Sequence, residues 1–397
     1  MVNLEGWQEV NIGNDTTLKA RIGWQGLTTN EYKDSGEYYL VTGTDFENGF
    51  VNWDTCHFVN KWRFDQDKNI QLKVNDVLIT KDGTIGKAGF IDTIKLPTTL
   101  NSGVFVIRTN SDKLDQKYLY YIFTSKIFDE FLNRLTAGST INHLYQKDFV
   151  HFSFKAPKAE EQKAIAKVLS DTDELISSLE KLIAKKEAMK QGTMQQLLTG
   201  KKRLNGFSGE WEEKRLGDIG NPTMCKRIMK YQTSDIGEVP FYKIGTFGKE
   251  ADSFISYALY AEFKNKFSFP KKGDVLISAS GTIGRIVIFD GKASYFQDSN
   301  IVWIDNNEKI VTNKYLSFVY QVTKWTTEDT TIARLYNDNL KNLEILVPST
   351  LEEQNAISQI LSDIDNEIKS LKSKLSKAKA IKDGMMSELL TGKTRLI

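Results

Sequence analysis

The chain has 397 residues, of which 40% are hydrophobic and 26% are charged, and its formal net charge is +2 at pH 7. This length allows two or more domains that each bury a core. So small a charge excludes a protein that coats nucleic acid non-specifically, and no apolar run of about 18 residues is available for a membrane span. Two cysteines, a lysine-rich surface and the lack of a basic and apolar leader predict a reducing, cytoplasmic location.

Residues 1–157 predict a domain of mixed α and β structure. Stretches rich in β-branched and aromatic residues, bounded by Gly, Asn or Asp, predict strands at 38–43, 76–80 and 103–108. Helical periodicity predicts a helix at 117–135.

A Gly-x-x-Gly turn follows the second of these strands, in the stretch DVLITKDGTIGK that ends at Lys87. Glycine accepts a positive φ and lets the backbone approach a phosphate closely, so a turn of this kind beside a basic residue is a candidate for phosphate contact. The alternative is a tight turn between two strands whose glycines serve geometry alone. The glycine spacing is not that of a P-loop.

A long helix is predicted over residues 158–204, directly after Pro157. Its apolar residues recur at heptad spacing, at Ile165, Leu169, Ile176, Leu179, Ile183 and Leu197. Polar residues interrupt this stripe at Thr172, Lys186, Lys190 and Thr193. We expect a helix of about 40 residues, about 60 Å long, that ends near the glycine of the LTGK sequence.

Residues 205–348 repeat the plan of the first domain. A second GTIG sequence occurs at 281–284 and is followed by Arg285, and strand and helix patterns recur at 300–304 and 313–325. The weaker agreement between the two domains than between the two helices indicates that the domains have diverged more.

Residues 349–397 repeat the long helix after Pro348, and 352–396 align with 160–204 without a gap. The heptad positions of this helix are Ile357, Leu361, Ile364, Ile368, Leu371, Leu375, Ala378, Met385 and Leu389, with an interruption at Lys382. Because an apolar stripe must be buried, we expect the two helices to form an antiparallel pair with a domain at each end. The interruptions in the first helix predict looser pairing there.

Several catalytic signatures are missing from the sequence. It contains no Asn/Asp-Pro-Pro-aromatic loop of an N-methyltransferase, no Pro-Asp dipeptide of a PD-(D/E)xK nuclease and no Walker A sequence. Three histidines and two scattered cysteines have no metal-ligand spacing. Although His57 follows Cys56, neighbouring strand residues point to opposite faces, so we expect no thiol catalyst. These absences favour a chain that is not itself an enzyme.

The ordered duplication resembles the specificity (S) subunit of type I restriction-modification systems. The resemblance covers essentially the whole chain and rests on a small set of sequences: Pro157 followed by Glu160-Glu161-Gln162, Pro348 followed by Glu352-Glu353-Gln354, the two LTGK sequences, the Trp-Glu-x-x-x-Leu-Gly-Asp stretch at 211–218, and GDVLIS-x-x-GTIGR at 273–285. Two positions depart from it, since Asn75 replaces the glycine found at 273 and Ile12-Gly13-Asn14 replaces Leu-Gly-Asp.

The resemblance implies an α+β fold with two similar mixed target recognition domains, at 1–157 and 205–348, separated by two long antiparallel coiled-coil helices at 158–204 and 349–397. It implies that each domain reads one half of a bipartite site in double-stranded DNA. The helices would set the spacer and dock two methyltransferase subunits, and two motor-nuclease subunits would join for cleavage. The chain itself would be non-catalytic, with S-adenosylmethionine, ATP and magnesium bound by the partner subunits.

Candidate site residues follow from these patterns. Polar and basic residues of the GTIG turns and nearby loops suit phosphate contact and base reading, and the candidates are Lys19, Arg21, Lys61, Arg63, Thr80, Lys81, Thr84, Lys87, Ser139, Asn142, Lys226, Arg227, Lys230, Ser278, Ser280, Thr282, Arg285, Arg334 and Asn337. The candidates for partner docking lie at the start of each long helix, at Glu161, Gln162, Ile165, Leu169, Glu353, Gln354, Ile357 and Leu361.

Two other functions are compatible with parts of the sequence. A coiled-coil scaffold without DNA recognition would explain the long helices alone. A self-contained DNA methyltransferase or nuclease would need the signatures that are missing. Methylation of a specific DNA sequence by a complex that contains the chain separates the first alternative from DNA recognition, and S-adenosylmethionine binding by the isolated chain would favour the second.

Overall fold

The computed structural model describes residues 5–136, 143–325 and 335–396. The chain forms two compact units, of which the first comprises Met1–Glu180 with Ser373–Ile397 and the second comprises Lys181–Lys372. Each unit therefore contains a segment of both long helices. The domain boundaries drawn from the sequence stay predictions, because these units divide the chain within the helices and not at their ends.

The first unit is built from eleven short strands, six α-helices and four 3-10 turns within the part of the chain that the structure describes. The strands are β1 (Gln8–Asn11), β2 (Thr16–Ala20), β3 (Tyr39–Val41), β4 (Phe46–Glu47), β5 (Phe50–Val51), β6 (His57–Phe58), β7 (Val77–Thr80), β8 (Ala88–Phe90), β9 (Thr98–Leu100), β10 (Val104–Thr109) and β11 (Ser153–Ala156). The helices are α1 (Ile12–Asp15), α2 (Lys61–Asp65), α3 (Gln116–Phe123), α4 (Lys126–Thr136), α5 (Gln146–Phe149) and α6 (Ala159–Leu197), the last of which continues into the second unit.

The main sheet of the first unit has the strand order β2-β10-β7-β8-β5-β4. A smaller sheet, β6-β3-β9, packs beside it and contains a parallel pair, β3 with β9. Strands β1 and β11 form a separate antiparallel ribbon that brings the two ends of the domain together directly before α6. The predicted strands at 38–43, 76–80 and 103–108 correspond to β3, β7 and β10, and the predicted helix at 117–135 is divided into α3 and α4.

The second unit follows the same plan. Its strands are β12 (Trp211–Arg215), β13 (Gly220–Met224), β14 (Val239–Tyr242), β15 (Phe254–Ile255), β16 (Val275–Ser278), β17 (Ile286–Ile288), β18 (Tyr295–Phe296), β19 (Ile301–Asn306) and β20 (Glu344–Pro348). Its helices are α7 (Leu216–Ile219), α8 (Tyr257–Lys266), α9 (Asn313–Val322), α10 (Asn337–Lys341) and α11 (Leu351–Leu389), the last of which continues into the first unit.

Each sheet of the first unit has a counterpart in the second. The main sheet has the order β13-β19-β16-β17, the smaller sheet is β15-β14-β18 with β14 parallel to β18, and β12 pairs with β20. These correspond in turn to β2-β10-β7-β8, β6-β3-β9 and the ribbon of β1 with β11. The internal repeat predicted from the sequence is therefore present in the topology of the two units.

The long helices are part of the core of each unit. Ile165 and Leu169 of α6 lie among the buried aromatic residues of the first unit, together with Leu389 from the end of α11. Ile357 and Leu361 of α11 are buried in the second unit with apolar residues from the end of α6. The first apolar residues of each long helix therefore pack against a domain. The heptad pattern alone predicts that they face the other helix.

The helices run antiparallel in each unit, as the sequence predicts. In the first unit the Lys382 Nζ lies 2.6 Å from Asp173 Oδ1, and the Lys379 Nζ lies 2.7 Å from Glu180 Oε1. In the second unit the Lys186 Nζ and Lys190 Nζ lie 2.7 Å from carboxylate oxygens of Glu367 and Asp365. The lysines that interrupt the heptad stripe are therefore ion-paired across the helix pair. Charged contacts thus stand where apolar ones are missing, and looser pairing at these positions stays a prediction.

Both long helices are 39 residues long, which confirms the predicted length. Each ends three residues before a glycine in the left-handed region, with φ of +67° at Gly200 and +74° at Gly392. A left-handed residue just beyond a helix is the usual C-terminal cap, and glycine adopts it without the strain of a Cβ atom. The repeated LTGK sequence is thus a helix stop signal.

Candidate nucleic-acid interface

The GTIG turn of the first unit joins β7 to β8 and is held by Thr80. The Thr80 hydroxyl donates to the Thr84 carbonyl and accepts from the Lys87 N–H at 2.9 Å, while the Gly86 N–H donates to the Thr80 carbonyl at 2.8 Å. Thr80 is 1% exposed, so its side chain is used inside the turn. The Lys87 Nζ donates to the Phe46 carbonyl of the same unit.

The GTIG turn of the second unit joins β16 to β17 and has the same bonds. The Ser278 hydroxyl donates to the Thr282 carbonyl at 2.5 Å and accepts from the Arg285 N–H at 2.8 Å. The Gly284 N–H donates to the Ser278 carbonyl at 3.0 Å, and the Arg285 Nη1 donates to the Phe247 carbonyl at 3.0 Å. Thr in one copy and Ser in the other serve the same purpose, because the bonds need only a hydroxyl group.

The second glycine of each turn is required by close packing. Gly86 and Gly284 have φ of +80° and +81°, and a Cβ atom would lie 2.3 Å from Leu132 Cδ1 or 2.2 Å from Trp325 Cδ1. The glycines therefore serve the geometry of a tight turn, packed on Leu132 of α4 in one unit and on Trp325, beyond the end of α9, in the other. This agrees with the structural alternative for GTIG, while phosphate contact by Lys87 or Arg285 stays a prediction.

In each unit, several of the residues predicted to contact DNA lie in loops at one end of the main sheet. In the first unit the register pairs Ala20 with Phe105 and Thr80 with Val104, so the loops after β2 and β7 lie at the same end of the sheet. In the second unit Met224 pairs with Val302 and Ser278 with Ile301, which brings the loops after β13 and β16 together. We name this end of each main sheet, with its loops, the strand-end surface.

The arginines of the first unit lie mostly inside the protein. Arg21 is 1% exposed and donates to the Leu100 carbonyl, Thr99 and Gln66. Burial lowers the pKa of this guanidinium, and its side chain is not on the strand-end surface. Its selection as a DNA contact is corrected, because a buried side chain with internal partners has no access to a duplex.

Arg63 is also engaged within the first unit. Its side chain is 13% exposed and makes a bidentate ion pair with Glu31, with N–O distances of 2.7 and 2.9 Å. Hydrogen bonds from Arg63 and from the Thr28 N–H lower the pKa of Glu31 to about 2. Lys61 is exposed and ion-paired with Asp65 on the same short helix, and Lys19 is exposed on β2.

The remaining first-unit candidates lie near the GTIG turn. Lys81 is half-buried, its Nζ lies 5.2 Å from the Phe105 ring centre, and burial lowers the pKa of its ammonium group. Thr84 is exposed at the tip of the turn. Ser139 and Asn142 lie outside the described residues.

The second-unit candidates are more accessible. Lys226, Arg227 and Lys230 are exposed in the loop after β13, Thr282 is exposed at the tip of the turn, and Asn337 is exposed at the start of α10. Ser280 donates to Asn300 at 2.8 Å, and Ser278 is 1% exposed within the turn. Arg334 lies outside the described residues. The structure thus brings the loop of Lys226 and the GTIG turn to one surface.

Two glutamines that were selected for partner docking join a domain to its helix. Gln162 accepts from the Asp115 N–H at 2.8 Å and donates to the carbonyls of Lys113 and Pro157 at 2.9 and 2.8 Å. Gln354 accepts from the Thr312 N–H at 2.9 Å and donates to the carbonyls of Ile310 and Pro348 at 2.9 and 3.1 Å. Both side chains are fully buried.

The glutamates beside them bind arginines that the sequence analysis did not select. Arg395, after α11, makes a bidentate pair with Glu161 of α6 at 2.8 and 2.7 Å. Arg203, after α6, makes the same pair with Glu353 of α11 at 2.7 Å for both contacts. We name each pair a helix clasp. The signal was available, since Glu-Glu-Gln and the arginine after LTGK are both duplicated.

The docking selection is therefore corrected for most of its members. Seven of the eight side chains are buried inside their own unit and offer no surface to another chain, namely Gln162, Ile165, Leu169, Glu353, Gln354, Ile357 and Leu361. Glu161 is partly exposed and bound to Arg395.

Both cysteines of the chain are buried, and neither thiol is activated. Burial raises the pKa of the Cys56 and Cys225 thiols to about 12, so both are protonated at neutral pH. Among residues 5–136, 143–325 and 335–396, no group of three or more His, Cys, Asp or Glu side chains is placed to hold a metal ion. No helix in the same part of the chain is long and apolar enough to span a membrane.

The family model for the type I restriction modification DNA specificity domain matches this chain twice, over residues 5–188 and 208–380. The chain belongs to this family. A type I restriction enzyme specificity subunit from Haemophilus influenzae is 42% identical over 298 residues, which cover 74% of this chain and 76% of the relative. The MjaVIII specificity subunit from Methanocaldococcus jannaschii is 28% identical over 99% of this chain and 94% of the relative.

Solved structures show that the fold of this specificity subunit is shared. The S subunit of the type I system from M. genitalium covers 98% of this chain and 96% of its own length, with a TM-score of 0.65 and 17% identity. A chain from a study of assembly and conformational transition of a type I system gives a TM-score of 0.55, also at 17% identity, and the match covers 97% of both chains.

Proposed function

We propose that each unit of this specificity subunit reads one half of a bipartite site in double-stranded DNA. The observation that carries this proposal is the repetition of one sheet plan with different side chains at the strand-end surface. The conserved plan gives both units the same way of approaching a duplex. The different loops give each unit its own hydrogen-bond donors and acceptors, which is what distinguishes base pairs in the major groove.

The attachment of each domain to its helix supports modular reading. Gln162 and Gln354 bind backbone atoms of the domains, with no requirement on the side chains there. A domain with other loops can therefore dock on the same helix. The long helices continue from one unit into the other and would fix the number of unread base pairs between the half-sites.

Membership of the family supports the proposed assembly. Two methyltransferase subunits would dock on this chain and two motor-nuclease subunits would join for cleavage. S-adenosylmethionine, ATP and magnesium would be bound by those subunits, and this chain would supply recognition without catalysis, in the cytoplasm. Because the buried residues at the helix starts are used internally, the docking surface would lie on exposed faces of the helices or domains.

Replacement of residues 1–157 by the equivalent domain of a relative is expected to change one half of the methylated sequence only. The other half and the gap should be retained, because the second unit and both helices are unchanged. The measurement is a genome-wide map of methylated adenines after co-expression with a methyltransferase subunit, in a host without adenine methylation. The reciprocal replacement of residues 205–348 is the control and should change the other half. A change in both halves from one replacement would count against the proposal.

A further inference from the structure

The loop that follows the first strand of the main sheet contains one matching turn in both units. It is a 3-10 turn at Thr29–Glu31 in the first unit and at Lys230–Gln232 in the second, and the loop of the first unit has a further 3-10 turn at Gly23–Gln25. The N–H of the residue before the turn donates to its last side chain, from Thr28 to Glu31 at 2.9 Å and from Met229 to Gln232 at 2.8 Å. An isolated bridge follows two residues after each turn, from Lys33 to Phe58 and from Ser234 to Phe254.

The side chains on this shared turn differ in charge. In the first unit the turn carries Thr29 and Asn30, and its one charged residue, Glu31, is neutralised by Arg63. In the second unit the corresponding positions are Lys230 and Tyr231, and Gln232 replaces the glutamate.

Exposure increases this difference. Four and three residues before the matching turn lie Gln25 and Gly26 in the first unit, where Gln25 ends the further 3-10 turn and is 8% exposed. The same spacing in the second unit gives Lys226 and Arg227, and both are exposed. Tyr231 is 84% exposed. The second unit therefore presents cationic groups and a tyrosine hydroxyl where the first presents neutral groups.

The basic side chains of this loop in the second unit make only partial contacts with the rest of the unit. The Arg227 Nε donates to Asp298 at 2.7 Å, which fixes the orientation of the guanidinium, while 66% of the side chain stays exposed. The Lys226 Nζ lies 5.2 Å from the Phe267 ring centre. Lys230 is exposed on the turn itself. Arg227 is thus held in a fixed orientation with most of its side chain exposed, and Lys230 is exposed on the turn, so both can meet an anionic partner.

We infer that the turn at 226–232 binds the phosphate backbone of double-stranded DNA through Arg227 and Lys230, with the Tyr231 hydroxyl as a third donor. This deepens the proposed function and rests on it. The matching turn of the first unit carries no cation, and its glutamate is paired with Arg63, so this turn would add no phosphate contact of its own. The second half-site supplies salt-dependent, sequence-independent affinity, because phosphate contacts release counterions from the duplex.

The test is the salt dependence of DNA binding by the full chain assembled with its methyltransferase subunits. The probes are a fluorescent duplex that carries the methylated sequence and a scrambled duplex. Each phosphate contact contributes about 0.9 to the slope of log affinity against log salt. The variant R227A/K230A should therefore lower the magnitude of that slope by about 1.8 and weaken binding to both duplexes. The charge-preserving variant R227K/K230R should keep the slope.

The matched control is K272A/K309A, which removes the same charge from the opposite end of the same sheet, where both lysines are exposed. Its slope should equal that of the unchanged protein. An unchanged slope in R227A/K230A would overturn the inference, and so would loss of the methyltransferase subunits from that variant with normal DNA binding, since the turn would then bind protein. If the unchanged complex itself fails to distinguish the two duplexes, the proposed function fails, and the inference fails with it.

Discussion

Replacement of Gln354 by leucine is expected to lower the free energy of unfolding of the second unit by about 3–5 kcal/mol. The amide is fully buried and binds the Thr312 N–H and the carbonyls of Ile310 and Pro348. Leucine fills a similar volume but leaves these three backbone groups without their partner. Each buried polar group that loses its partner costs about 1–3 kcal/mol.

Scanning calorimetry measures the loss of stability, and hydrogen exchange by mass spectrometry locates it. Protection from hydrogen exchange should fall at residues 310–316, where the Gln354 side-chain amide joins the domain to α11. The control is Gln359→Leu, since Gln359 is an exposed residue of the same helix whose bonds, to Lys314 and Asp363, lie at the surface. Q162L should give the same loss in the first unit, at residues 113–118. Equal stability of Q354L and Q359L would show that the buried amide does not hold the domain on the helix.

Arg203→Ala is expected to lower the free energy of unfolding of the second unit by about 3 kcal/mol. It breaks the helix clasp and leaves the carboxylate of Glu353, whose side chain is 2% exposed, without a partner. An unpaired buried charge typically costs about 3–5 kcal/mol, and we expect the low end because the Arg203 side chain itself is 30% exposed. For a unit of this size the unfolding temperature should fall by about 6–12 °C.

The neighbouring Lys202→Ala is the matched control, because it removes one exposed positive charge and leaves the clasp intact. Its effect should stay within about 0.5 kcal/mol. The double variant R203A/E353A should be more stable than R203A alone, since it leaves no buried charge. An R203A protein as stable as K202A would contradict the role of the clasp.

The long helices and the repeat could be predicted from the sequence because their signals are local. Heptad spacing, a proline before each helix and a glycine after it define α6 and α11 within a few residues. The GTIG turns are evident from their repetition, and all four of their glycines have a positive φ, which glycine adopts without strain.

The side-chain partners could not be predicted, because they are distant in the sequence. Arg63 lies in a stretch whose sequence is typical of a surface loop, and no neighbouring residue in the sequence indicates that it pairs with Glu31. Arg21 directly follows a strand, a position typical of a loop cation, whereas Thr99 and Leu100 of the adjoining sheet enclose it. Burial of this kind is set by tertiary packing and not by local pattern.

The ion pairs across the two long helices could be predicted from the sequence once an antiparallel register is assumed. Lys186 and Lys190 interrupt the apolar stripe, and an antiparallel register places them opposite Glu367 and Asp365. The same register brings the start of one helix to the end of the other, where the helix clasps form. Testing charge complementarity across the predicted pair would have identified both features.

The most direct test of DNA-sequence recognition by this specificity subunit is the map of methylated adenines that it directs. The chain is co-expressed with its methyltransferase subunit in a host without adenine methylation, and modified positions are read across the genome. Two units with one plan and different loops predict a single motif of two unlike short half-sites around a fixed gap, with a methylated adenine in each half. A continuous motif, or methylation without sequence preference, would contradict the account.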